Sequence, residues 1–199
     1  MPIPLFSEPT GAFFKREIST LEVMTSHPQL PDPYESEMVV VKPSSVPGAN
    51  EGLFARKNIS PGTVLAFYNG IRRLPKQNFD KPDWVKSAYR IFDPTRKKGE
   101  RGSLDIPKEY IALNNYCATL AHKTNHSFLP SAEFEEYEHP CYGLVPCLRS
   151  ITDIGEGEEI FVHYCYSLEH CPDWFLQAWE DGNYPVPESF KDWQDQVKA

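Results

Sequence analysis

The hydrophobic pattern of this chain predicts many short strands. β-Branched and aromatic residues occur in brief runs that end at Gly, Pro, Ser or Asn, as expected of strands joined by turns. Six such runs cover 38–42, 52–56, 63–71, 133–137, 143–149 and 159–166. The last run is apolar enough along its length to predict a buried strand.

Helical spacing is confined to a few segments. One is Asn114–His122, and two more, Asp173–Glu180 and Glu188–Val197, predict C-terminal helices with Trp174 and Trp193 as apolar anchors. The chain has 19 prolines in 199 residues, about twice the usual share of about 5%. Proline restricts φ and donates no backbone hydrogen bond, which disfavours long helices and wide sheets. We therefore expect a mainly β protein with short helices.

The organisation predicted from these patterns is one domain with two flanking segments. A chain of 199 residues fits a single domain. We expect a Pro-rich, irregular lead-in over 1–37, a main domain over 38–167, and a C-terminal helical segment over 168–199. Within the main domain, a basic and glycine-containing stretch at about 72–107 has the character of an insert.

Composition predicts a protein that is neither secreted nor membrane-bound. No run of about 18 apolar residues is present, and prolines and an acid stand where a signal peptide needs an apolar core. Five cysteines are an odd number without a repeating framework, so free thiols are expected. We predict a nuclear or cytoplasmic location, or both, and a monomer.

The negative charge of the chain is concentrated in its second half. The net charge is −8 overall, and residues 131–181 contain twelve acids against the single Arg149, a balance of −11. A surface this acidic repels phosphate backbones and attracts cationic peptides. This pattern disfavours direct nucleic-acid binding and is compatible with a basic peptide partner or with a solvated acidic face.

Three segments contain residues that could take part in chemistry, and each is weak alone. The first, 50–54, is a turn in which Gly52 permits close approach to the backbone; the third, 157–166, places Tyr164 and Tyr166 at the end of a strand. In the second, His122 and His126 are four residues apart on a possible helix, but Lys123 replaces the Glu that a zinc protease needs. A structural zinc site that adds the late residues Cys165, His170 and Cys171 stays open but is poorly spaced.

The order and combination of these segments resemble the SET-domain protein-lysine methyltransferases. The resemblance extends to the SET7-type histone-lysine methyltransferases, in which MORN repeats precede the catalytic part. It rests on LPDPYES at 30–36, EGLF at 51–54, FYNG at 67–70, HKTNHSF at 122–128 and the GEE-containing strand that ends in Tyr164. It covers about three quarters of the chain, and no MORN-like repeat precedes it here.

This resemblance implies a SET fold of the β-clip type, with small curved sheets and a C-terminal pseudoknot. The implied cofactor is S-adenosyl-L-methionine (SAM), with S-adenosyl-L-homocysteine (SAH) as product, and the implied partner is a basic peptide such as a histone tail. The implied cofactor site comprises Asn50, Glu51, Gly52, His122, Asn125, His126 and Trp174. The implied catalytic residues are Tyr164, Tyr68 and Tyr166, and the substrate channel includes Phe134 and Tyr89, with no metal.

Three positions depart from the family pattern. Ser131 replaces the Asn that ends the NHSxxPN motif, Phe134 replaces a channel tyrosine, and Tyr89 replaces a polar residue of the insert. Phe134 lacks a hydroxyl that would restrain the amine, which leaves the number of transferred methyl groups open. These departures also keep a second hypothesis in place, a SET-like pseudoenzyme that binds peptides or acts as a scaffold.

Overall fold

A computed structural model describes residues 19–20, 23–73, 89–92, 102–166, 168 and 171–182. Its strands are β1 Val39–Pro43, β2 Glu51–Ala55, β3 Val64–Phe67, β4 Ile71–Arg73, β5 Arg90–Phe92, β6 Ser103–Asp105, β7 Asn125–His126, β8 Ala132–His139, β9 Gly143–Ser150 and β10 Phe161–Val162. Its helices are α1 Pro33–Met38 and α2 Asp173–Asp181, with 3₁₀ turns at Lys108–Tyr110 and Ala121–Lys123.

The strands form four small sheets. β1 pairs antiparallel with β2, and two three-stranded antiparallel sheets have the orders β3-β9-β8 and β4-β6-β5. β7 and β10 form a short parallel pair in which Asn125 lies opposite Phe161. The mainly β class with short helices is therefore confirmed, whereas the pseudoknot and the division at 37 and 167 stay predictions.

The run 63–71 is two strands, not the single strand that its pattern predicted. β3 ends at Phe67 and β4 begins at Ile71. Between them, the buried Asn69 donates from Nδ2 to the Met24 carbonyl at 3.0 Å and its backbone N–H donates to Thr119 at 3.2 Å. At Gly70, an added Cβ would lie 2.9 Å from the backbone of Asp105. The contacts of Asn69 and Gly70 hold the backbone in a bend between β3 and β4.

The predicted helical segment Asn114–His122 is wrong as an α-helix. Tyr116 N–H bonds the Ala112 carbonyl, but the next two amides, of Cys117 and Ala118, donate instead to the carbonyl of Pro28. The backbone is thus diverted into a contact with a distant segment, and only a 3₁₀ turn forms at Ala121–Lys123. His122 and His126 consequently do not share a helix face.

The N-terminal lead-in contains a helix that the hydrophobic pattern did not indicate. Asp32 caps α1 by accepting from the backbone N–H of Glu35 at 3.0 Å, and Pro33 occupies the first turn. An Asp followed by Pro is a helix-start signal, but the helix is too short for a periodic pattern.

The C-terminal predictions are confirmed in part. The helix Asp173–Glu180 is present as α2, but its buried anchor is Phe175, whereas Trp174 is 51% exposed. The strand expected over 159–166 is reduced to Phe161–Val162. The helix Glu188–Val197 and Trp193 lie outside the described residues.

A group of buried polar residues joins α1 to the three-stranded sheet β3-β9-β8. The Glu35 carboxyl group accepts through Oε1 from the Phe67 N–H at 2.5 Å. His139 Nδ1 accepts from the N–H groups of Cys141 and Tyr142, so its Nε2–H donates to Asp32 at 3.1 Å. Burial, together with the nearby Asp32 charge, raises the pKa of Glu35 well above its ordinary value.

Replacing Glu35 with Gln is expected to change how stability depends on pH. Folded Glu35 retains its proton above pH 4.5, where the unfolded chain has lost it, so this group's stabilisation declines as pH rises toward the folded pKa. The decline is at most about 1.4 kcal/mol per pH unit. Urea unfolding between about pH 5 and 8 should show the wild type losing stability relative to Glu35→Gln. Glu37→Gln, on the exposed side of the same helix, is the control, and parallel profiles for wild type and Glu35→Gln would contradict the assignment.

Candidate active site

One cavity gathers residues from four separate parts of the chain. Its volume is about 350 Å³, within the range of small-molecule sites. Its walls are Ala49, Glu51, Tyr89, His122, Lys123, Asn125, Tyr164, Tyr166, Pro172 and Trp174. Asn125, Tyr164 and Trp174, which the sequence assigned to one site, therefore share a cavity.

Asn125 is fixed at the centre of this site by its side-chain amide. Nδ2 donates to the Glu51 carbonyl at 2.9 Å and lies 3.0 Å from both the Ser44 hydroxyl and Glu159 Oε1. The residue enters the site because β7 pairs with β10, which orients the NHS segment beside the 159–166 segment. The amide thus joins the loop before β2 to the strand that leads to Tyr164.

A protein side chain packs so closely against position 52 that only glycine fits there. A Cβ at this position would overlap with Glu159 Oε1 and lie 2.8 Å from Glu159 Cδ and 3.2 Å from Asn125 Nδ2. Gly52 itself does not line the cavity. The expected close approach to the backbone is therefore made by Glu159 and Asn125.

The sequence analysis missed an ion pair in the cavity wall, between a buried Lys123 and a partly exposed Glu51. Lys123 Nζ donates to Glu51 Oε2 and to the Ile111 carbonyl, both at 2.6 Å, and the Lys123 side chain is only 1% exposed. In the sequence, Lys123 served only to exclude a zinc protease. A lysine beside the NHS motif gave no sign of burial, because its partner Glu51 lies 72 residues away.

The opposite wall is aromatic. Rings of Tyr164, Tyr166 and Trp174 contact one another edge-on at centroid distances of 5.7–6.5 Å. The Tyr164 hydroxyl donates to the Thr124 carbonyl at 3.0 Å, and its backbone N–H donates to His126 Nδ1 at 3.1 Å. Burial raises the pKa of Tyr164 above its ordinary value and that of Tyr166 to about 12. Both phenols are therefore neutral near pH 7.

His122 lies among aromatic rings at the base of the cavity. Its ring is 6.3 Å from Tyr68, 6.1 Å from Tyr89 and 5.5 Å from Tyr116, measured between centroids. Burial, with a smaller effect of the Lys123 charge, lowers the pKa of His122 to about 3. The imidazole is therefore neutral, and within the described part of the chain neither ring nitrogen has a well-formed hydrogen bond.

Tyr68 and Phe134 lie outside the cavity lining, behind His122. Tyr68 is 2% exposed, its hydroxyl donates to the backbone carbonyl of Tyr89, and its ring contacts Phe134 at 5.9 Å. Burial raises the pKa of Tyr68 well above its ordinary value. These residues adjoin Tyr89, which does line the cavity, so they form the layer beneath its wall.

Two more residues of the predicted cofactor site do not line the cavity. Asn50 is exposed at a positive φ of 61° in the loop before β2. His126 lies behind Tyr164 and Trp174, packed against Phe175 at 4.9 Å. Burial and the nearby His163 lower the pKa of His126 to about 3, so it is a neutral acceptor for the Tyr164 N–H.

The remaining motif residues have structural contacts. Ser131, which stands in place of an Asn, accepts from the Phe161 N–H at 3.1 Å and donates its own N–H to the Phe161 carbonyl at 3.0 Å. Ser131 therefore fixes β10 in place. Within the described ranges, no three His, Cys, Asp or Glu side chains lie close enough to hold a metal ion, and His170 is outside those ranges. The described helices include none that is long and apolar enough to cross a bilayer.

Comparison with known proteins identifies the family of this chain. A family model described as the SET domain matches residues 50–165. This chain belongs to the SET-domain family. A histone-lysine N-methyltransferase SETD7 of Halocynthia roretzi is 38% identical over 172 residues, which is 81% of this chain and 42% of that protein. The chain thus spans less than half of the length of this relative.

Solved structures with a similar fold are more distant. An active polycomb repressive complex 2 in the stimulated state is 20% identical over 64% of this chain and 15% of that chain, with a TM-score of 0.44. The complex ctPRC2, in an autoinhibited conformation bound to S-adenosylmethionine, is 18% identical over 76% of this chain and 18% of that chain, with a TM-score of 0.46. Similarity at this level carries no argument about the site.

Gly52→Ala is expected to lower the stability of the fold. The new methyl group must displace the Glu159 carboxylate, whose Cδ lies 2.8 Å from its position, and this costs about 1–3 kcal/mol of unfolding free energy. Thermal or urea unfolding measures the loss. Gly155→Ala is the matched control, because its new Cβ also meets a Glu carboxyl group but comes no closer than 3.1 Å, whereas the Cβ at Gly52 overlaps with Glu159 Oε1. A Gly52→Ala protein within about 0.5 kcal/mol of wild type would contradict the role given to Gly52.

Proposed function

We propose that this chain is a SAM-dependent protein-lysine N-methyltransferase. The observation that carries the proposal is the single cavity lined by Asn125, Tyr164 and Trp174, with the ion pair of Lys123 and Glu51 in its wall. The 38% identity to a histone-lysine N-methyltransferase supports a protein lysine as the acceptor.

The cavity fits the chemistry of SAM. Its polar end presents an ammonium from Lys123 and a carboxylate from Glu51, which match the zwitterionic amino-acid part of that molecule. Its other end presents the half-exposed indole of Trp174, a face on which a flat heterocycle can stack. We infer that Lys123, Glu51 and Asn125 bind the amino-acid part and that Trp174 contacts the adenine.

When bound, SAM supplies an activated methyl group on a positively charged sulfur. The protein must then present a neutral lysine amine in line with that group. Free lysine has a pKa near 10.4, so only about one molecule in a thousand is neutral near pH 7.4, a penalty of about 4 kcal/mol. Burial against Tyr164, Tyr89 and Tyr166 disfavours the ammonium form and lowers this penalty.

The aromatic residues act by alignment and exclusion of water. The raised pKa values of Tyr164 and Tyr68 keep both phenols protonated, so neither removes the proton from lysine. The Tyr164 hydroxyl already donates to Thr124, which leaves its oxygen as a weak acceptor for a polarised methyl group. Such contacts are individually small, so a held geometry contributes most of the acceleration.

The alternative of a pseudoenzyme finds no support at Ser131. That departure from the family motif retains the hydrogen bonds to Phe161 that position β10. Phe134 packs against Tyr68 in the layer beneath the cavity wall and contributes no hydroxyl group there. Isotope transfer from labelled SAM to a lysine peptide separates the enzyme from a binding module.

Tyr164→Phe is expected to retain SAM binding and to lose most turnover. The ring still contacts Tyr166 and Trp174, but the hydroxyl beside the transferring methyl group is gone, and we expect a loss of about 100-fold. Calorimetry with SAM and methyl transfer to a histone mixture measure both properties.

The control for this variant is Tyr34→Phe. It removes a hydroxyl that donates to the Val64 carbonyl at 2.7 Å, in a part of the fold that does not line the cavity. Unchanged turnover in Tyr164→Phe would remove Tyr164 from the mechanism. Absence of SAM binding by the wild type would overturn the proposed function.

We also infer that the partner is a basic peptide such as a histone tail, which would place the protein in the nucleus, the cytoplasm or both. β8 presents four acids, of which Glu136 and Glu138 are exposed. Peptide affinity should fall several-fold between about 50 and 300 mM salt, because exposed charges are screened within about 10 Å at 0.1 M.

The charge contribution can be separated from other contacts by substitution. The double change Glu136→Gln and Glu138→Gln should weaken peptide binding and flatten its salt dependence. Glu109→Gln, an exposed acid outside this strand, is the control. Peptide affinity that does not change with salt would refute the docking role of these acids.

A further inference from the structure

Glu159 is a half-buried anchor to which the proposed chemistry assigns no role. Its Oε1 accepts from the Ser44 hydroxyl at 2.7 Å and from Asn125 Nδ2 at 3.0 Å. Its Oε2 accepts from the Ser45 N–H at 2.7 Å and from the Ser45 hydroxyl at 2.6 Å. It does not line the cavity, so it reaches a ligand only through a neighbour.

The hydrogen bonds around Asn125 determine which way its amide points. The Glu51 carbonyl and the Glu159 carboxylate can only accept, and Ser44 has already donated its proton to Glu159. Three acceptors therefore lie within 3.0 Å of one amide atom, which must be the NH2 group. Reversing the amide would place its oxygen against a carboxylate and a carbonyl.

The other amide atom of Asn125 is consequently left for a ligand. Among the described residues, Oδ1 has no hydrogen-bond partner, and Asn125 is part of the cavity wall. A carbonyl oxygen at this place recognises a hydrogen-bond donor, and a cationic donor most strongly. Without the Glu159 carboxylate, either the oxygen or the NH2 group of the Asn125 amide could face the cavity.

We propose that Glu159 is a positioning residue that orients the Asn125 amide so that its oxygen selects an α-ammonium group on the bound ligand. This inference rests on the proposed function, since the ligand it concerns is the amino-acid part of SAM or SAH. The orienting role requires that Glu159 is an anion. Although burial opposes ionisation, the hydrogen bonds from Ser45, Ser44 and Asn125 hold the pKa of Glu159 below its ordinary value.

The test compares two probes, SAH and its analogue without the α-amino group, by calorimetry on the full chain. The wild type should bind SAH at least about tenfold more tightly than the analogue, the size of a hydrogen bond to a charged group. Glu159→Gln should reduce this ratio at least about fivefold. A Gln cannot satisfy the N–H of Ser45 and the amide of Asn125 together, because one of its two ends is a donor.

Glu158→Gln is the matched control, since this neighbouring acid accepts from the Gly155 N–H in an exposed turn. In Glu158→Gln, the ratio of the affinities for SAH and its analogue should equal that of the wild type. Asn125→Ala should reduce the ratio as well, and adding Glu159→Gln to it should change nothing further, because Glu159 acts through Asn125. If Glu159 only stabilised the fold, Glu159→Gln would weaken the binding of both probes equally and leave the ratio of their affinities unchanged.

The outcomes separate this inference from the function on which it rests. If the wild type binds neither probe, the proposed function fails and the inference with it. If the wild type binds both equally, or if Glu159→Gln retains the full ratio, only the inference is overturned. Should Glu159→Gln not fold, Ser44→Ala replaces it, because it removes a contact to both Glu159 and Asn125 and should lower the ratio in the same direction.

Discussion

Three stretches of chain that are far apart in sequence meet at the side-chain amide of Asn125. The loop before β2 contributes Ser44, the first residue of β2 contributes the Glu51 carbonyl, and the segment leading to Tyr164 contributes Glu159. Each stretch is too short to be stable alone, since β7 and β10 have two residues each. This amide, the β7–β10 pair and the backbone hydrogen bonds between β2 and 157–160, such as Ile160 N–H to the Leu53 carbonyl at 2.7 Å, hold the three stretches together.

The polar groups around the cavity are of two kinds: buried groups that are neutral, and charged groups that have partners. The phenols of Tyr164 and Tyr68 and the imidazole of His122 are neutral, because burial disfavours their charged forms. Lys123 is instead paired with Glu51, and the Glu159 carboxylate accepts four hydrogen bonds. Neutral phenols and a neutral imidazole around the cavity suit the proposed reaction, which needs a neutral nucleophile.

The sequence was sufficient for the features that depend on local pattern. Short apolar runs between turn residues predicted β1, β2, β8 and β9, because strand formation there requires only alternation and nearby partners. The sequence was insufficient where a contact with a residue far away in the chain determines the local structure. The Pro28 carbonyl diverts the backbone at Cys117, and the position of Phe175 under the aromatic cluster leaves Trp174 exposed at the cavity.

The same distinction applies within the site, where the charge pair of Lys123 and Glu51 could not be found from spacing. Gly52 was recognised as a place of close approach, yet the group that approaches it is Glu159, 107 residues later, which only coordinates could identify.

The segment 72–107 takes part in the site, although its sequence has the character of a peripheral insert. Tyr89 within it lines the cavity with its side chain, while its backbone carbonyl accepts from both the Tyr68 hydroxyl and the Ile106 N–H. β5 and β6 then pair in one sheet with β4, the strand that follows Tyr68. The position of one wall of the cavity is therefore set by how this segment pairs with the rest of the fold. Because Tyr89 lines the cavity from this segment, a substitution at Tyr89 would alter this wall while leaving the hydrogen bonds of Asn125 unchanged.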